Sequence, residues 1–392
     1  MSRRTLAPLA LVAALLLGGG ARAEQTATKP WDWVLVYYMA YDNNLEPCGR
    51  PILDMLGKGV KSPRLVVTCQ ADFTDNEGMR RYTITHEGEK VEAVPGEGSA
   101  EEETLRDYLE WVRLTFPGRR LALIFLNHGG KLGEMSLDEN PGREGGQNWL
   151  EVHETSRVVA AWREAVKKDG GEVELLFLQQ CGKGALENYH AFRDGGRVIM
   201  ASQTVVGAPN YYYEKALRWA GQHPEGTGEE LAAKIREFEP ANMFTTYTAM
   251  RGAALEELPA RLEPVLAPLL KKEQLAAPTG LRSCFDQPPD ELFIDGLALL
   301  EALYTQNEVD RAPLDAFAAW VRDELLCGHR VSPARERVAS SWCGFSIYLP
   351  RSRRALERYS HYPIYRETRL DDLVGRLLPP PGAQRAGGRR AR

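Results

Sequence analysis

The chain has 392 residues, of which 43% are hydrophobic and 26% are charged, and its formal net charge at pH 7 is −5. This is an ordinary globular composition, and the length suffices for one large domain or two ordinary ones. The acidic balance, without a basic stripe that carries interleaved aromatic residues, argues against a nucleic-acid-binding protein.

The first 23 residues have the pattern of a secretory signal peptide. Two arginines precede an apolar stretch from Leu6 to Leu17, and Ala21-Arg22-Ala23 fits the cleavage site. The apolar stretch is shorter than the ~20 residues that a membrane-spanning helix needs. We therefore expect cleavage after Ala23, a short polar leader over residues 24–30, a mature chain without a membrane span, and a secreted or periplasmic location.

From Trp31 onwards, patterns typical of buried strands alternate with patterns typical of amphipathic helices. Short apolar runs predict the strands, and apolar residues at helical spacing predict the helices. The predicted strands lie near Trp33, Leu65, Leu121, Leu175 and Val198, and the predicted helices cover residues 46–56, 101–116, 149–168, 185–192, 229–238, 255–272 and 297–303. Such alternation is typical of a parallel sheet that is covered by helices.

Three segments depart from this alternation. Residues 131–148 are rich in Gly, Asn and charged side chains, which predicts an exposed loop. The prolines at 278, 288 and 289 indicate a change of subdomain near residue 278. Residues 379–392 are rich in Pro, Gly and Arg and cannot bury apolar surface, so we expect a disordered basic tail.

Cys181 lies on the turn between a predicted strand and a predicted helix. Val173 to Leu178 is an apolar run typical of a strand that is buried on both faces, and helical spacing begins at Ala185. The carboxyl ends of parallel strands open into the crevice where α/β proteins bind ligands. A thiol at this position, with Lys183 nearby, can have a lowered pKa. The ordinary fate of a free cysteine, a small buried apolar side chain, is the alternative.

A second buried-strand pattern, from Arg120 to Asn127, ends at His128-Gly129-Gly130. The chain thus carries an imidazole and a thiol after two separate strands, 53 residues apart (128 to 181). This spacing is close to the ~50 residues by which the histidine precedes the cysteine in caspase-type peptidases. A base within reach of a thiol is what nucleophilic catalysis by cysteine requires, whereas a solvent-exposed turn histidine is the alternative.

The residues around these positions resemble the clostripain family of cysteine peptidases, which share the caspase-like fold. The family's strand-His-Gly-Gly motif matches residues 123–130, and its strand-x-x-Cys motif, with Glu six residues after the Cys, matches residues 177–187. Its first strand with an Asp-Asn-Leu turn matches residues 33–45, and its Gly-x-Ser-Ile-Tyr-x-Pro segment matches residues 344–350. The resemblance extends over roughly residues 31 to 378.

This resemblance implies an α/β fold, namely a caspase- or gingipain-like α/β/α sandwich with a mainly parallel central sheet and a C-terminal α/β subdomain. The catalytic domain would cover residues 31–277, and residues 278–378 would complete the fold. The implied activity is that of a cysteine endopeptidase, which hydrolyses peptide or protein substrates with a dyad of Cys181 and His128. The backbone amides of Gly129 and Cys181 would hold the oxyanion.

Three positions that are acidic in trypsin-like members of the family carry amides in this chain. Gln179 precedes the cysteine by two residues, Gln203 follows the next strand, and Asn127 precedes the histidine. A buried cationic side chain without a countercharge costs several kcal/mol. We therefore expect Gln179 and Gln203 to bind substrate, and the preferred P1 residue to be neither Arg nor Lys. If a charge is supplied after all, Asp138, Asp194 and Glu187 are its candidate sources.

Two other functions remain open. The three lost acids fit a catalytically inactive homologue that binds peptides or proteins, and an unrelated cysteine hydrolase such as an amidase or acyltransferase would share the dyad.

The six cysteines are too scattered for a Cys-x-x-Cys zinc site, and we expect no metal or cofactor. Some family members use calcium, however, and Asp138, Glu139 and Asn140 form an oxygen-rich segment without EF-hand spacing. The oligomeric state is not predicted.

Family members are often cut in the segment between the two catalytic strands. Lys131 and Arg143 are basic sites in that segment. We expect any cleavage of this chain to fall between Lys131 and Asn148, and to be made by another protease.

Overall fold

The computed structural model of the protein describes residues 30–74, 78–96, 98–141, 146–287 and 291–378. Apart from Pro30, the predicted signal peptide, leader and basic tail lie outside these residues. None of the helices within these ranges combines the length and the apolar composition that crossing a membrane requires.

The strands are, in chain order, β1 (Trp31–Tyr41), β2 (Leu65–Phe73), β3 (Arg80–Thr85), β4 (Gly88–Ala93), β5 (Gly118–Leu126), β6 (Glu134–Asp138), β7 (Asn148–Glu151), β8 (Glu172–Gln179), β9 (Val198–Ala201), β10 (Thr246–Arg251), β11 (Ser283–Gln287), β12 (Glu291–Asp295), β13 (Leu326–Val331) and β14 (Ser346–Pro350). The helices are α1 (Glu46–Gly59), α2 (Glu102–Thr115), α3 (Val152–Lys168), α4 (Leu186–Ala191), α5 (Tyr213–Gln222), α6 (Gly228–Phe238), α7 (Gly252–Leu270), α8 (Gly296–Gln306), α9 (Ala312–Trp320), α10 (Glu336–Ala339), α11 (Arg353–Arg358), α12 (Pro363–Glu367) and α13 (Leu370–Leu377).

Nine of the described strands form one sheet, in the order β13-β10-β9-β8-β5-β1-β2-β3-β4. The five strands from β9 to β2 run parallel to one another, and each strand outside them pairs antiparallel with its neighbour. Parallel strands require crossover connections, which are usually helices. The central part of the sheet is therefore covered on both faces.

The alternation of side chains along β5 shows the two covered faces. Leu121, Leu123 and Phe125 pack into one apolar core with helices α2, α3, α4 and α7. Ala122, Ile124 and Leu126 pack into a second core with helices α1, α5 and α6. Because successive side chains of a strand point to opposite faces, an unbroken apolar run fits a strand that is buried on both sides.

The predicted fold class, an α/β/α sandwich around a mainly parallel sheet, is confirmed. The predicted strands correspond to β1, β2, β5, β8 and β9, and β5 and β8 are adjacent and parallel. The chain after residue 278 contributes in two ways: β11, β12 and β14 form a separate three-stranded sheet, while β13 is the edge strand of the main sheet.

The prediction of an exposed loop over residues 131–148 is wrong for residues 134–138, whereas Glu139, Asn140 and Gln147 are exposed. β6 and β7 pair there as a two-stranded antiparallel sheet, and Met135, Ser136 and Asp138 are buried. The helix expected from Trp149 begins at Val152, because the preceding residues form β7. The turn-forming composition of the segment does not predict these two short strands, of which β6 packs against β1 and β7 packs against α3.

Candidate active site

The pairing of β5 with β8 brings the predicted catalytic residues to the same place. Leu126 lies opposite Gln179 at the carboxyl ends of the two strands. His128 and Cys181 each follow by two residues, and neighbouring strands are ~4.8 Å apart. The structure therefore places the imidazole and the thiol on adjacent strand ends, as the sequence predicts.

Gly129 packs directly against the main chain of Cys181. A Cβ atom at position 129 would collide with the Cys181 carbonyl oxygen and would lie 3.1 Å from the Cys181 amide nitrogen. Only glycine fits this approach. Among the described residues, neither the Gly129 amide nor the Cys181 amide donates a main-chain hydrogen bond. Neither amide is therefore held by a main-chain acceptor, although the Cys181 amide interacts with its own sulfur.

The turn after the thiol depends on a second glycine. Gly182 has a φ of 66°, in the left-handed region that side chains disfavour. Its amide donates to the Thr204 carbonyl at 3.0 Å, and the Gly184 amide donates to the Ser202 carbonyl at 2.7 Å. These bonds attach the turn to the loop that follows β9, so that this loop forms one side of the site.

The Cys181 thiol contacts the main chain of that loop. The Val206 amide donates to Sγ at 3.3 Å, and Sγ lies 3.6 Å from the Val206 carbonyl oxygen, which can accept the thiol hydrogen. Burial raises the pKa of Cys181, while the contact with Val206 and the charge of Lys183 oppose that shift. A thiolate therefore has to be favoured by a nearby base.

His128 has a partner that the sequence did not reveal. Its Nε2 atom lies 2.7 Å from the Oδ1 atom of Asn44, an exposed residue of the turn after β1. An amide oxygen only accepts hydrogen bonds, so this contact places the imidazole proton on Nε2 and leaves Nδ1 unprotonated. Burial lowers the pKa of His128, which favours the neutral form that can accept a proton.

Asn44 belongs to the Asp-Asn-Asn turn that supports the family resemblance, yet it had no predicted role. Its proximity to His128 follows from strand register, which places Met39 of β1 opposite Leu126 of β5, and the sequence alone does not reveal that register. In the described part of the chain, no hydrogen bond joins the Cys181 thiol to the imidazole, since each has another partner. Such contacts are often long before substrate binds.

Asn127, the amide residue that precedes His128, is buried and joins three strand ends. Its Nδ2 atom donates to the carbonyl oxygens of Ala40 and Leu137, the latter at 2.8 Å. Its Oδ1 atom accepts from Asn43 Nδ2 at 3.1 Å. The side chain thus joins the ends of β1, β5 and β6, and it supports the loop that carries His128.

Gln179 is buried within a network of polar side chains. Its Oε1 atom accepts from the Tyr212 hydroxyl at 2.6 Å, and its Nε2 atom donates to the Tyr213 hydroxyl at 2.9 Å and to Asn210 Oδ1. Asn210 in turn donates to the Tyr247 hydroxyl at 3.2 Å. This network lies next to the loop that contacts the thiol, on the face of the sheet that α5 and α6 cover.

Gln203 has different partners and is fully buried. Its Nε2 atom donates to Asp295 Oδ2 at 3.1 Å, and its amide donates to Thr246 Oγ1 at 3.2 Å. The two glutamines share no partner in the described residues. Their assignment to substrate binding stays a prediction, with Gln179 the one that belongs to the network beside the thiol loop.

The three acids named as alternative charges face other parts of the molecule. Glu187 accepts from the Tyr348 amide and the Tyr365 hydroxyl, Asp194 pairs with Arg193, and Asp138 accepts from the Ser99 amide. Glu239 lies closer to the Gln179 network, since it accepts from the Tyr211 amide at 3.2 Å. Burial raises the pKa of Glu239 to about 7.

Three buried carboxylates form the one candidate cation site found in the described residues. Oxygen atoms of Asp42, Asp72 and Asp138 all lie within 4.8 Å of one another. Oxygen ligands of this kind suit calcium or magnesium. Of the segment predicted as oxygen-rich, only Asp138 belongs to the cluster; the Glu139 carboxylate accepts from Gln147, and the Asn140 side chain donates to Asp42.

Comparison with solved structures places the fold among those of the C11 proteases. An inactive zymogen C11 protease from Parabacteroides distasonis superposes with a TM-score of 0.67 at 17% identity, over 87% of this chain and 99% of that chain. The secreted C11 cysteine protease "iotapain" from Bacteroides thetaiotaomicron gives 0.65 at 14% identity, over 87% and 100%. A secreted C11 cysteine protease from the same organism, in complex with an irreversible peptide inhibitor, gives 0.64 at 12% identity, over 86% and 99%.

At these identities, the structural likeness shows the fold alone. No curated protein matched the chain. The profile of the clostripain family, Peptidase_C11, matches residues 37–254, which is more than half of the chain and includes both strand ends of the candidate site. The protein therefore belongs to the clostripain family of cysteine peptidases.

Proposed function

We propose that the protein is an active cysteine endopeptidase in which Cys181 is the nucleophile and His128 is the general base and acid. The juxtaposition of the two strand ends carries this proposal, because it brings a thiol, a neutral imidazole and two main-chain amides together. The Asn44 contact supports it further, since it leaves Nδ1 of the imidazole available for the thiol proton.

In the first half of the reaction, His128 Nδ1 takes the thiol proton, and the Cys181 sulfur forms a bond to the carbonyl carbon of the scissile peptide. The amides of Gly129 and Cys181 donate to the resulting oxyanion. The C–N bond then breaks as His128 returns the proton to the leaving amine. A thioester between Cys181 and the substrate remains.

In the second half, water attacks the thioester while His128 accepts its proton, and the sulfur leaves as the new carboxylic acid is released. The thiol must first leave the Val206 carbonyl, which a rotation about the Cα–Cβ bond accomplishes. We therefore regard the contacts of Sγ with Val206 as those of the resting enzyme.

Activity measurements on single and double variants test these roles. Cys181→Ala and His128→Ala should each lower kcat/KM by a factor on the order of 10⁴ or more, and the double variant should be hardly worse, because the two residues act as a unit. Cys327→Ala in β13 and His86→Ala after β3 change the same residue types in the outer strands of the sheet and are the matched controls. Substantial activity in either single variant would refute the assignment.

Selective alkylation separates the enzyme from a catalytically inactive peptide-binding homologue. Alkylation proceeds through the thiolate, and His128 can take the proton of Cys181, so iodoacetamide should modify Cys181 before the five other cysteines. Peptide mapping by mass spectrometry identifies the modified residue. A Cys181 thiol that reacts no faster than the others, in a protein that still binds peptides, would favour the binding module.

The proposed substrate has a neutral polar or small residue at P1. The direct side-chain partners of Gln179 are Asn210, Tyr212 and Tyr213, and none of them carries a formal negative charge. An amide pocket can hydrogen-bond a neutral side chain, whereas arginine would bury its charge there without a countercharge.

Secretion through the signal sequence of residues 1–23 belongs to the same proposal, and mass spectrometry of the exported protein should find a mature chain that starts at Glu24.

A further inference from the structure

Lys183, two residues after the proposed nucleophile, is a buried lysine whose ammonium group has main-chain carbonyls as its hydrogen-bond partners among the described residues. Its exposed fraction is 1%. Nζ donates to the carbonyl oxygens of Lys131 and Glu134, both at 2.6 Å, and lies 3.5 Å from that of Leu132. Lysine is almost never fully buried without a partner, and the three hydrogens of its ammonium group match three acceptors.

These carbonyls belong to the segment that directly follows the catalytic histidine. A Cβ atom on Gly129 would lie 2.9 Å from Lys183 Cε, so the stem of the lysine passes against the glycine whose amide is to hold the oxyanion. The segment is held from its other side as well, because Glu291 accepts from the Leu132 amide at 2.8 Å and Tyr362 donates to the Leu132 carbonyl at 3.3 Å.

We propose that Lys183 is a positioning residue for peptide hydrolysis. Its ammonium group ties residues 131–134 to the Cys181 turn and thereby fixes the Gly129 amide beside the attacked carbonyl. This inference rests on the proposed peptidase function and deepens it. Oxyanion donors are effective only when they are fixed in advance, and displacement by about 1 Å can cost ~10²-fold in rate.

The charge of Lys183 is part of this function. Burial lowers the pKa of Lys183 to about 8, although the charged groups that face it oppose this shift, namely Glu134 of β6, Glu151 of β7, Glu291 of β12 and the Cys181 thiol. Above that pH the amine loses one donor hydrogen and its attraction for the carbonyl dipoles. The wild-type kcat should then fall on the alkaline side with an apparent pKa near 8.

Hydrogen exchange tests the positioning without requiring activity. In Lys183→Met, which keeps an apolar stem, the amides of residues 129–134 should exchange at least ~10-fold faster than in the wild type, because their anchor is lost. Peptides from α7 should be unchanged. Lys167→Met, a change of the same type at an exposed lysine of α3, should exchange like the wild type throughout.

Kinetics supply the second readout. Lys183→Met should lower kcat ~10²-fold, whereas the limiting rate of Cys181 alkylation at high pH should change little, because alkylation forms no oxyanion. Lys183→Arg, which retains the charge, should lack the alkaline fall of kcat near pH 8. An equal loss of kcat and of limiting alkylation rate would instead indicate a general collapse of the site and overturn the inference.

The outcomes for Lys183 and for the peptidase function are distinguishable. A wild-type protein that cleaves no peptide overturns the proposed function, while the exchange comparison still decides whether Lys183 holds the segment. Wild-type exchange protection in Lys183→Met overturns the positioning role. Should that variant fail to fold, the wild type itself is compared at pH 7 and pH 9.5 after correction for intrinsic exchange, and unchanged protection of residues 129–134 overturns the inference.

Discussion

At the scale of single residues, the site depends on side chains that orient others. Asn44 contacts His128 from the turn after β1, with its Oδ1 atom 2.7 Å from Nε2 of the imidazole. Gln179 makes three hydrogen bonds in the network beside the thiol loop and carries no charge. Both residues are amides, and for both the replacement by aspartate is informative.

Asn44→Ala should lower kcat of the enzyme ~10-fold, since the imidazole loses the partner that holds its tautomer. Asn44→Asp keeps an acceptor and adds a negative charge, which raises the pKa of His128. The base must be unprotonated, so the acidic limb of the kcat/KM profile should move to a higher pH in Asn44→Asp. A pH profile of the three proteins checks this, and an unshifted limb with full activity in Asn44→Ala would contradict the role.

The P1 preference is tested with fluorogenic peptides that differ only at P1. The wild type should turn over Arg and Lys substrates weakly, and Gln179→Asp should raise Arg cleavage relative to neutral residues, because the buried cation gains a countercharge. A clear preference of the wild type for Arg or Lys would contradict the proposal. Glu239→Gln would then show whether Glu239, behind Asn210, supplies that charge.

At the scale of elements, two groups of acids connect strand ends and helices. Glu187 of α4 is fully buried between β14 and α12, where it accepts from the Tyr348 amide at 3.0 Å and from the Tyr365 hydroxyl at 3.2 Å. Asp42, Asp72 and Asp138 lie at the ends of β1, β2 and β6. The buried carboxyl group of Glu187 predicts that the stability of the protein depends on pH. The aspartate cluster predicts that its stability depends on cations.

Burial raises the pKa of Glu187 from 4.5 to about 7. A carboxyl whose pKa is raised on folding stabilises the protein below the unfolded value, and this contribution is lost as the pH rises through the folded value. The free energy of unfolding of the wild type should therefore decline relative to Glu187→Gln between pH ~4.5 and ~7, by at most about 3 kcal/mol. Urea denaturation at several pH values measures the difference, and parallel curves would contradict the prediction.

Calcium should raise the Tm of the protein, because three carboxylates within 4.8 Å of one another repel each other until a cation neutralises them. Excess EDTA should reverse the shift. Asp138→Asn should abolish the response, whereas Asp194→Asn, at an exposed helical residue, should retain it. A Tm that is insensitive to calcium in the wild type would show that the cluster holds no such ion.

At the scale of the whole molecule, the segment between the two catalytic strands contacts the C-terminal part of the chain. Leu132 is fully buried, its amide binds Glu291 of β12, and its carbonyl binds Tyr362 before α12. The turn that carries Cys181 is likewise joined to β14, since the Ser346 amide donates to the Gly184 carbonyl at 2.9 Å. The C-terminal part therefore supports the loops that carry His128 and Cys181.

This arrangement refines the prediction of where the chain is cut. The Lys131 carbonyl accepts from Lys183, so the bond between Lys131 and Leu132 is held within the structure. Arg143, the other predicted site, lies outside the described residues. Limited trypsin digestion should therefore cut the bond after Lys131 slowly, equally in Cys181→Ala. Rapid cleavage there, identified by mass spectrometry, would contradict this protection.

The amino-acid sequence by itself determined the fold class, the five parallel strands and the positions of Cys181 and His128 after two of them. These features depend on local periodicity and on motifs of a few residues, which the chain displays without reference to distant parts. The same local reasoning mistook β6 and β7 for an exposed loop, because their short strands are stabilised by distant packing rather than by their own composition.

Only the tertiary structure decided the partners of the catalytic residues. Asn44 and His128 are 84 residues apart in the chain, and Lys183 binds carbonyls about 50 residues away. Asp42, Asp72 and Asp138 meet because three strands end at one edge of the fold. Such contacts depend on strand register and on the direction of each side chain, and a sequence specifies these only through the packing of the complete molecule.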